Sequence, residues 1–309
     1  MSAVIEISNL TRRYGRRRGV DDVTLSIGAG TLYGFLGPNG AGKTTTIRVL
    51  LGFLRASSGR ATVLGLDCWR DSARVKREVG AIPGDLRLWP YLNGHSALAL
   101  FGSVRGKDLR AAGLALADEL ELDLRVPVRK MSRGMRQKLG LILALAHDPQ
   151  VLILDEPTTA LDPLMQDRLR EILRRKARAG RTVFFSSHTL SEVEDLCERV
   201  AIVRQGRIVA DSTLEELRRQ ASHEVQVHWR ERAPETVPEF LTLDVRTARE
   251  WRGRLRGEIG VLLAYLGAHP GVEDVRIARP DLEDIFRRYY EDEAGVAGAA
   301  APDVAEARS

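Results

Sequence analysis

The chain has 309 residues, 44% of them apolar and 29% charged, with 47 basic against 42 acidic side chains for a net charge of +5. These are the proportions of a soluble globular protein of one large domain or two. The basic residues are mostly Arg interleaved with acids, which reads as a solvated surface rather than a nucleic-acid or membrane patch.

Cys68 and Cys197 lie far apart without metal-ligand spacing and read as reduced thiols of a cytosolic protein. The first ten residues lack the basic start and apolar core of a signal peptide. The longest apolar runs, 139–146 and 261–268, fall far short of the roughly 20 residues that cross a bilayer. Any membrane span must come from another polypeptide.

Residues 4–10 alternate apolar and polar and predict a strand, followed by a basic turn at 16–19 and a second alternating strand at 22–27. Gly28-Ala29-Gly30 turns the chain into an apolar strand at 31–36. Then comes Gly37-Pro38-Asn39-Gly40-Ala41-Gly42-Lys43-Thr44, a phosphate-loop pattern, with Thr45 opening a helix over 45–54. Glycines let successive N–H groups face one concavity, and the helix N-terminus adds positive potential there. Lys43 is placed to reach the β- and γ-phosphates of a nucleotide, and Thr44 to offer its hydroxyl to Mg²⁺.

A strand is predicted at 60–64, residues 75–82 lead into Pro83-Gly84-Asp85, and residues 86–124 are helix-rich. Met131-Ser132-Arg133-Gly134-Met135 precedes a helical pattern at 136–147. Residues 151–154 are a buried strand ending in Asp155-Glu156-Pro157, 167–179 an amphipathic helix, and 182–186 a strand with His188 just beyond it. A last strand pair surrounds Gln205-Gly206. Apolar strands alternating with helices imply a mainly parallel sheet covered on both faces, with ligands at the C-terminal strand ends.

After about residue 219 a smaller α+β region is expected: a strand at 223–230, and a loop at 232–239. A helix from 247 carries Trp251, Leu255, Ile259, Leu262 and Leu266 on one face; a strand at 272–277 and a helix at 281–291 follow. The Ala- and Gly-rich tail 294–309 has too little to bury and is expected to be disordered.

An acid ending an apolar strand needs a cation or hydrogen bonds, so Asp155 is placed as a Mg²⁺ contact beside Thr44. Glu156 points elsewhere and is placed to orient and deprotonate a water attacking the γ-phosphate, with His188 sensing that phosphate.

Together these residues resemble the ATP-binding subunit of an ABC transporter, over about residues 4–217. Residues 37–45 resemble the Walker A loop, 151–156 the Walker B strand with its catalytic carboxylate, 160–162 the D-loop with Asp162, and His188 the switch histidine. Tyr14 sits where the family has an aromatic that stacks on adenine. Residues 131–135 occupy the place of the Leu-Ser-Gly-Gly-Gln signature but depart from it at three positions, keeping Ser132 and Gly134.

The Q-loop glutamine is missing: its position holds Gly84, followed by Asp85, a candidate substitute one place late. Residues 83–89 and 281–286 resemble variants seen in drug- and antibiotic-export members.

The resemblance implies an α/β P-loop NTPase core with an antiparallel β edge, and a helical subdomain at about 85–148. It places the ATP-binding domain at 1–218, a small α+β domain at 219–292 and a disordered tail at 293–309.

The resemblance further implies an ATPase using ATP and Mg²⁺ that dimerises head to tail, each ATP held between one chain's Walker A loop and the partner's signature. The expected partners are a second ATP-binding subunit, first as a homodimer, and a separate transmembrane permease through which the chain lies on the inner membrane face. Export of a drug-like or other small molecule is the expected use, and no nucleic acid is expected. The alternative is a soluble ABC-type ATPase acting on ribosomes or DNA. The single phosphate loop, lack of sustained heptads and two cysteines weigh against it.

Overall fold

The computed structural model describes residues 3–15, 17–220, 223–269, 271–278 and 286. It divides into two compact units, Met1–Leu214 and Glu215–Ser309.

The first unit opens with β1 (Ala3–Tyr14), β2 (Arg17–Gly28), β3 (Leu32–Leu36) and α1 (Lys43–Leu50). Next come β4 (Ser58–Val63), β5 (Leu66–Asp67), α2 (Ser72–Glu78) and β6 (Val79–Ile82). Three helices follow, α3 (Gly94–Arg105), α4 (Arg110–Glu119) and α5 (Arg133–Leu145). The unit continues through β7 (Val151–Asp155), α6 (Pro163–Arg178), β8 (Thr182–Ser187), α7 (Leu190–Leu196), β9 (Arg199–Arg204) and β10 (Arg207–Thr213). Helix α8 (Leu214–Gln220) leads into the second unit.

The central sheet runs β10-β9-β3-β8-β7-β6, parallel except for the β9–β10 hairpin. Every residue of β3, β7 and β8 is buried, which is why these strands read as unbroken apolar runs rather than alternations. A second, antiparallel sheet runs β2-β1-β4-β5. Its alternating Ile5, Ile7, Leu25 and Ile27 join Phe35, Ile47, Leu50 and Phe184 in one core. Each such side chain contributes about 1.5–3 kcal/mol by burial. In this arrangement β3, β7 and β8 end together, and the loops that leave them are neighbours.

The segment 75–82 that leads into Pro83 is divided, its strand beginning at Val79. Residues 72–78 are helical, with Val75 alone buried among charged neighbours, and only Val-Gly-Ala-Ile pairs with β7.

The second unit contains β11 (His223–Trp229), β12 (Leu241–Arg246), β13 (Glu250–Leu255), α9 (Ile259–Gly267) and β14 (Val272–Ala278). Its antiparallel sheet runs β12-β13-β11-β14. Trp229 and Trp251 meet edge to face at 5.1 Å between ring centroids, and α9 adds Leu262 and Leu266 to this core.

The helix expected from residue 247 is therefore a strand, a turn and a shorter helix. Residues four apart share a face in a strand as well as in a helix, so the Trp251–Leu255 spacing fits both. The deciding pattern is the alternation of buried Trp251, Gly253 and Leu255 with exposed Arg252 and Arg254. Gly253 is required because a Cβ there would lie 2.1 Å from the Thr242 carbonyl oxygen of the neighbouring strand. The helix expected at 281–291 lies outside the described residues except for Phe286, which is helical and buried; the tail from 293 lies outside them altogether.

Candidate active site

The loop between β3 and α1 is shaped by glycines and braced from behind. Gly40 and Gly42 have φ of 84° and 107°, the left-handed region in which a side chain is strained. A Cβ on Gly42 would also lie 2.8 Å from Gly19 O, and one on Gly37 only 2.4 Å from Val203 O. The Gly206 N–H donates to Ala41 O at 2.9 Å, and the Asp21 N–H donates to Gly206 O at 2.8 Å. Arg207 clamps the Asp21 carboxylate at 2.6 Å. The loop is thus pressed between β2 and the β9–β10 turn.

Lys43, only 4% exposed, donates to Gly37 O at 2.6 Å and Pro38 O at 3.2 Å. Its ammonium also lies 3.4 Å from Glu156 Oε1. A buried ammonium needs such partners, and here they hold it across the mouth of the loop.

Asp155 is the last residue of β7, paired in register with Ser186 of β8. Ser186 Oγ donates to Asp155 Oδ1 at 2.6 Å. The other oxygen, Oδ2, is buried without a hydrogen-bond partner.

Glu156 adopts φ 47°, so its side chain leaves the strand direction that Asp155 follows. Its N–H donates to Ser186 O at 3.2 Å and to Ser186 Oγ at 3.1 Å. Its Oε2 lies 3.3 Å from Nδ1 of His188, a half-exposed residue just past β8. A left-handed non-glycine residue costs roughly 1–3 kcal/mol, held in place here by both Ser186 bonds.

These residues fit a divalent cation. A point beside Gly84, where a Cβ would stand, lies 2.8 Å from Asp155 Oδ2 and 3.8 Å from Thr44 Oγ1. The buried, unpartnered carboxylate oxygen of Asp155, with the Thr44 hydroxyl on the same side of Gly84, supplies hard oxygen donors of the kind that suit Mg²⁺. Asp85 lines the cleft beside Asp155 and Glu156, with its exposed carboxylate paired with Arg87 at 2.8 Å.

A cleft of about 350 Å³ is lined by Tyr14, Gly19, Pro38, Asn39, Gly40, Gly42, Lys43–Thr45 and Glu156. The Tyr14 hydroxyl lies 3.5 Å from Thr45 Oγ1, and its ring is 41% exposed under the Arg12 guanidinium. Gly19 makes room for that ring, since a Cβ there would lie 2.7 Å from Tyr14 Cε2.

The residues at 131–135 stand outside this cleft. Ser132 caps α5, its Oγ accepting from the Met135 N–H at 3.1 Å, while Arg133 is exposed. Gly134 presses on the following loop, where a Cβ would lie 2.6 Å from Ala160 O. Asp162 likewise caps α6, accepting from the Met165 N–H at 3.1 Å ahead of Pro163.

Sequence reasoning missed Gly19, Ser186 and Gln137, whose Nε2 donates to Pro157 O at 2.9 Å. A serine at the end of an apolar strand was the available signal for Ser186; nothing local marked Gly19.

The fold and this loop define a P-loop protein that binds nucleoside triphosphates. Residues 20–159 match the family model described as ABC transporter. Daunorubicin resistance ATP-binding protein DrrA3 of Streptomyces coeruleorubidus is 35% identical over 312 residues, spanning 96% of this chain and 98% of that protein. Bacitracin transport ATP-binding protein BcrA of Bacillus licheniformis is 35% identical over 71% of this chain and 72% of its own length. A solved ATP-binding subunit of an ABC transporter superposes with a TM-score of 0.67 at 28% identity, covering 70% of this chain and 92% of that one. The chain belongs to the ABC transporter family, as one of its ATP-binding, ATP-hydrolysing subunits. Among the described residues no helix is long and apolar enough to cross a membrane.

Proposed function

We propose that this subunit closes on ATP as a pair of chains and powers export of a drug-like molecule through a separate permease at the inner membrane face. The observation that carries the reading is Glu156, held between Lys43 at 3.4 Å and His188 at 3.3 Å, beside the unpartnered oxygen of Asp155.

In this reading the N–H groups of residues 37–45 and the N-terminus of α1 hold the phosphates. Lys43 moves from the loop carbonyls to the β- and γ-phosphates. Tyr14 stacks on adenine above Gly19. Thr44 and Asp155 hold Mg²⁺, which when bound offsets charge on the phosphate oxygens. Glu156 orients the attacking water and takes its proton, and His188 contacts the γ-phosphate.

Ser132, Arg133, Gly134 and Met135 serve the partner's ATP, with Asp162 at the same junction. The tight packing of Gly134 on Ala160 supports this, because it links the signature turn to the loop that begins at Glu156. Loss of the γ-phosphate removes the contact that favours the closed pair, which resets it.

We assign residues 1–218 to the ATP-binding domain, with 85–148 as its helical subdomain, and 219–292 to a separate small domain. The drug-resistance and antibiotic-transport names of the relatives support export. The permease docks in an apolar groove of about 270 Å³ that includes Phe53, Leu88 and Phe101. Pro83 and Leu86 line both this groove and the cleft beside Asp155 and Glu156, so one loop touches both sites.

The test is the molar mass of Glu156→Gln in solution with and without Mg-ATP. Doubling of mass with ATP, together with lost turnover, is expected. A monomer that binds ATP, or a variant that hydrolyses at the wild-type rate, refutes the assignment.

A further inference from the structure

The absence of the Q-loop glutamine is a steric requirement of this site. We infer that Gly84 is a positioning residue for the metal: position 84 must lack a side chain so that Asp155 Oδ2 keeps its place and its open face. The inference rests on reading Asp155 and Thr44 as the Mg²⁺ contacts.

Gly84 follows β6, and β6 lies beside β7 in parallel register with Ile82 opposite Leu154, which brings position 84 next to Asp155. A Cβ at 84 would stand 2.8 Å from Asp155 Oδ2, closer than side-chain carbons approach, and 3.3 Å from its Cγ, a tight contact. Something must move, and Asp155 has little freedom to do so. Its side chain is short and 1% exposed, and its other oxygen is tied to Ser186 at 2.6 Å. Swinging Oδ2 away disturbs that bond and displaces the free oxygen. Gly84 is not in the left-handed region, so space rather than backbone conformation excludes a side chain here.

The Asp85 carboxylate, one position further on, is directed to Arg87 rather than to Asp155. The contribution of this loop to the metal side is therefore an opening, with solvent in place of a side-chain ligand. Restoring the glutamine should damage the site that it serves elsewhere in the family.

The probe is Mn²⁺, titrated into the full chain saturated with the non-hydrolysable analogue AMP-PNP and followed by electron paramagnetic resonance. Gly84→Ala and Gly84→Gln should each weaken Mn²⁺ binding by about tenfold or more, in the range seen when groups that orient a metal ligand are disturbed. Metal-free AMP-PNP affinity should stay within about twofold of wild type in both, and Asp85→Ala should leave Mn²⁺ affinity within the same margin. Mn²⁺ binding by Gly84→Gln at wild-type strength, or its loss in Asp85→Ala, overturns the inference.

Asp155→Asn separates the two levels. If it leaves Mn²⁺ affinity unchanged, the underlying metal assignment fails. If it weakens binding while both Gly84 variants remain normal, only the inference fails. Thermal unfolding covers the case in which Gly84→Gln does not fold. Adding Asp155→Ala should then restore folding, because the oxygen in the way is gone; a double variant that still does not fold also refutes the steric reasoning.

Discussion

Ser186→Ala probes how the two carboxylates are held. The hydroxyl makes two bonds that alanine cannot: it donates to Asp155 Oδ1 at 2.6 Å and accepts from the Glu156 N–H at 3.1 Å. The first is a hydrogen bond to a charged group, worth about 1.5–3 kcal/mol; the second, shared with Ser186 O, adds less. Asp155 would keep a buried carboxylate with neither oxygen bonded to a side chain, so a loss of about 2–3 kcal/mol is expected. For a unit of this size that lowers the melting temperature by about 5–10 °C.

Part of the loss should return when Mg-ATP is added, because a cation at Asp155 then compensates the carboxylate in place of the hydroxyl. The ATPase rate should fall about ten- to a hundredfold, since Glu156 loses one of the bonds holding its left-handed backbone. Urea unfolding with and without Mg-ATP, alongside steady-state phosphate release, measures all three effects. A variant within about 0.5 kcal/mol of wild type that hydrolyses ATP normally would refute the claim that Ser186 orients the pair.

Other expectations concern groups outside the reaction. Burial, reinforced by the nearby cations Arg105 and Lys107, pushes the His147 imidazole down to about 4 from 6.5. The folded chain therefore keeps His147 neutral while the unfolded chain protonates it. Its contribution to stability is complete above pH 6.5 and is lost as pH falls toward 4, by up to about 3 kcal/mol. His147→Gln should flatten the difference in urea midpoint between pH 7 and pH 4.5; an unchanged slope would count against a buried neutral imidazole.

Both cysteines are buried, and burial, with Asp67 adding to it, pushes the Cys68 thiol up to about 12, while burial also raises Cys197 well above its ordinary value. A disulfide reagent at pH 8 should find no reactive thiol in the native protein and two after denaturation. A rapidly reacting native thiol would show that the turn after β5 or the end of α7 opens easily.

Much of the active site was legible because its chemistry is local. The spacing of Gly37, Gly42, Lys43 and Thr44 between an apolar strand and a helix describes the phosphate loop without tertiary information. Asp155 and Glu156 were legible because an acid at the end of a buried strand has few uses. The second unit was harder to read: Trp251 and Leu255 satisfy strand and helix periods alike, and the alternation with Arg252 and Arg254 takes its meaning from the pairing of β13 with β11 and β12.

By itself the sequence determined the class of the protein, the nucleotide loop and the identity of the two carboxylates, since each depends on residue types at short spacing. Only the tertiary structure decided what surrounds them. Ser186 reaches Asp155 across a strand pair, Gly19 opens room for Tyr14 from a different strand, and Gly84 is a glycine because Asp155 stands 2.8 Å from where its side chain would begin. Such constraints arise between residues on or beside different strands, where steric exclusion and hydrogen-bond geometry depend on distances that the order of residues does not contain.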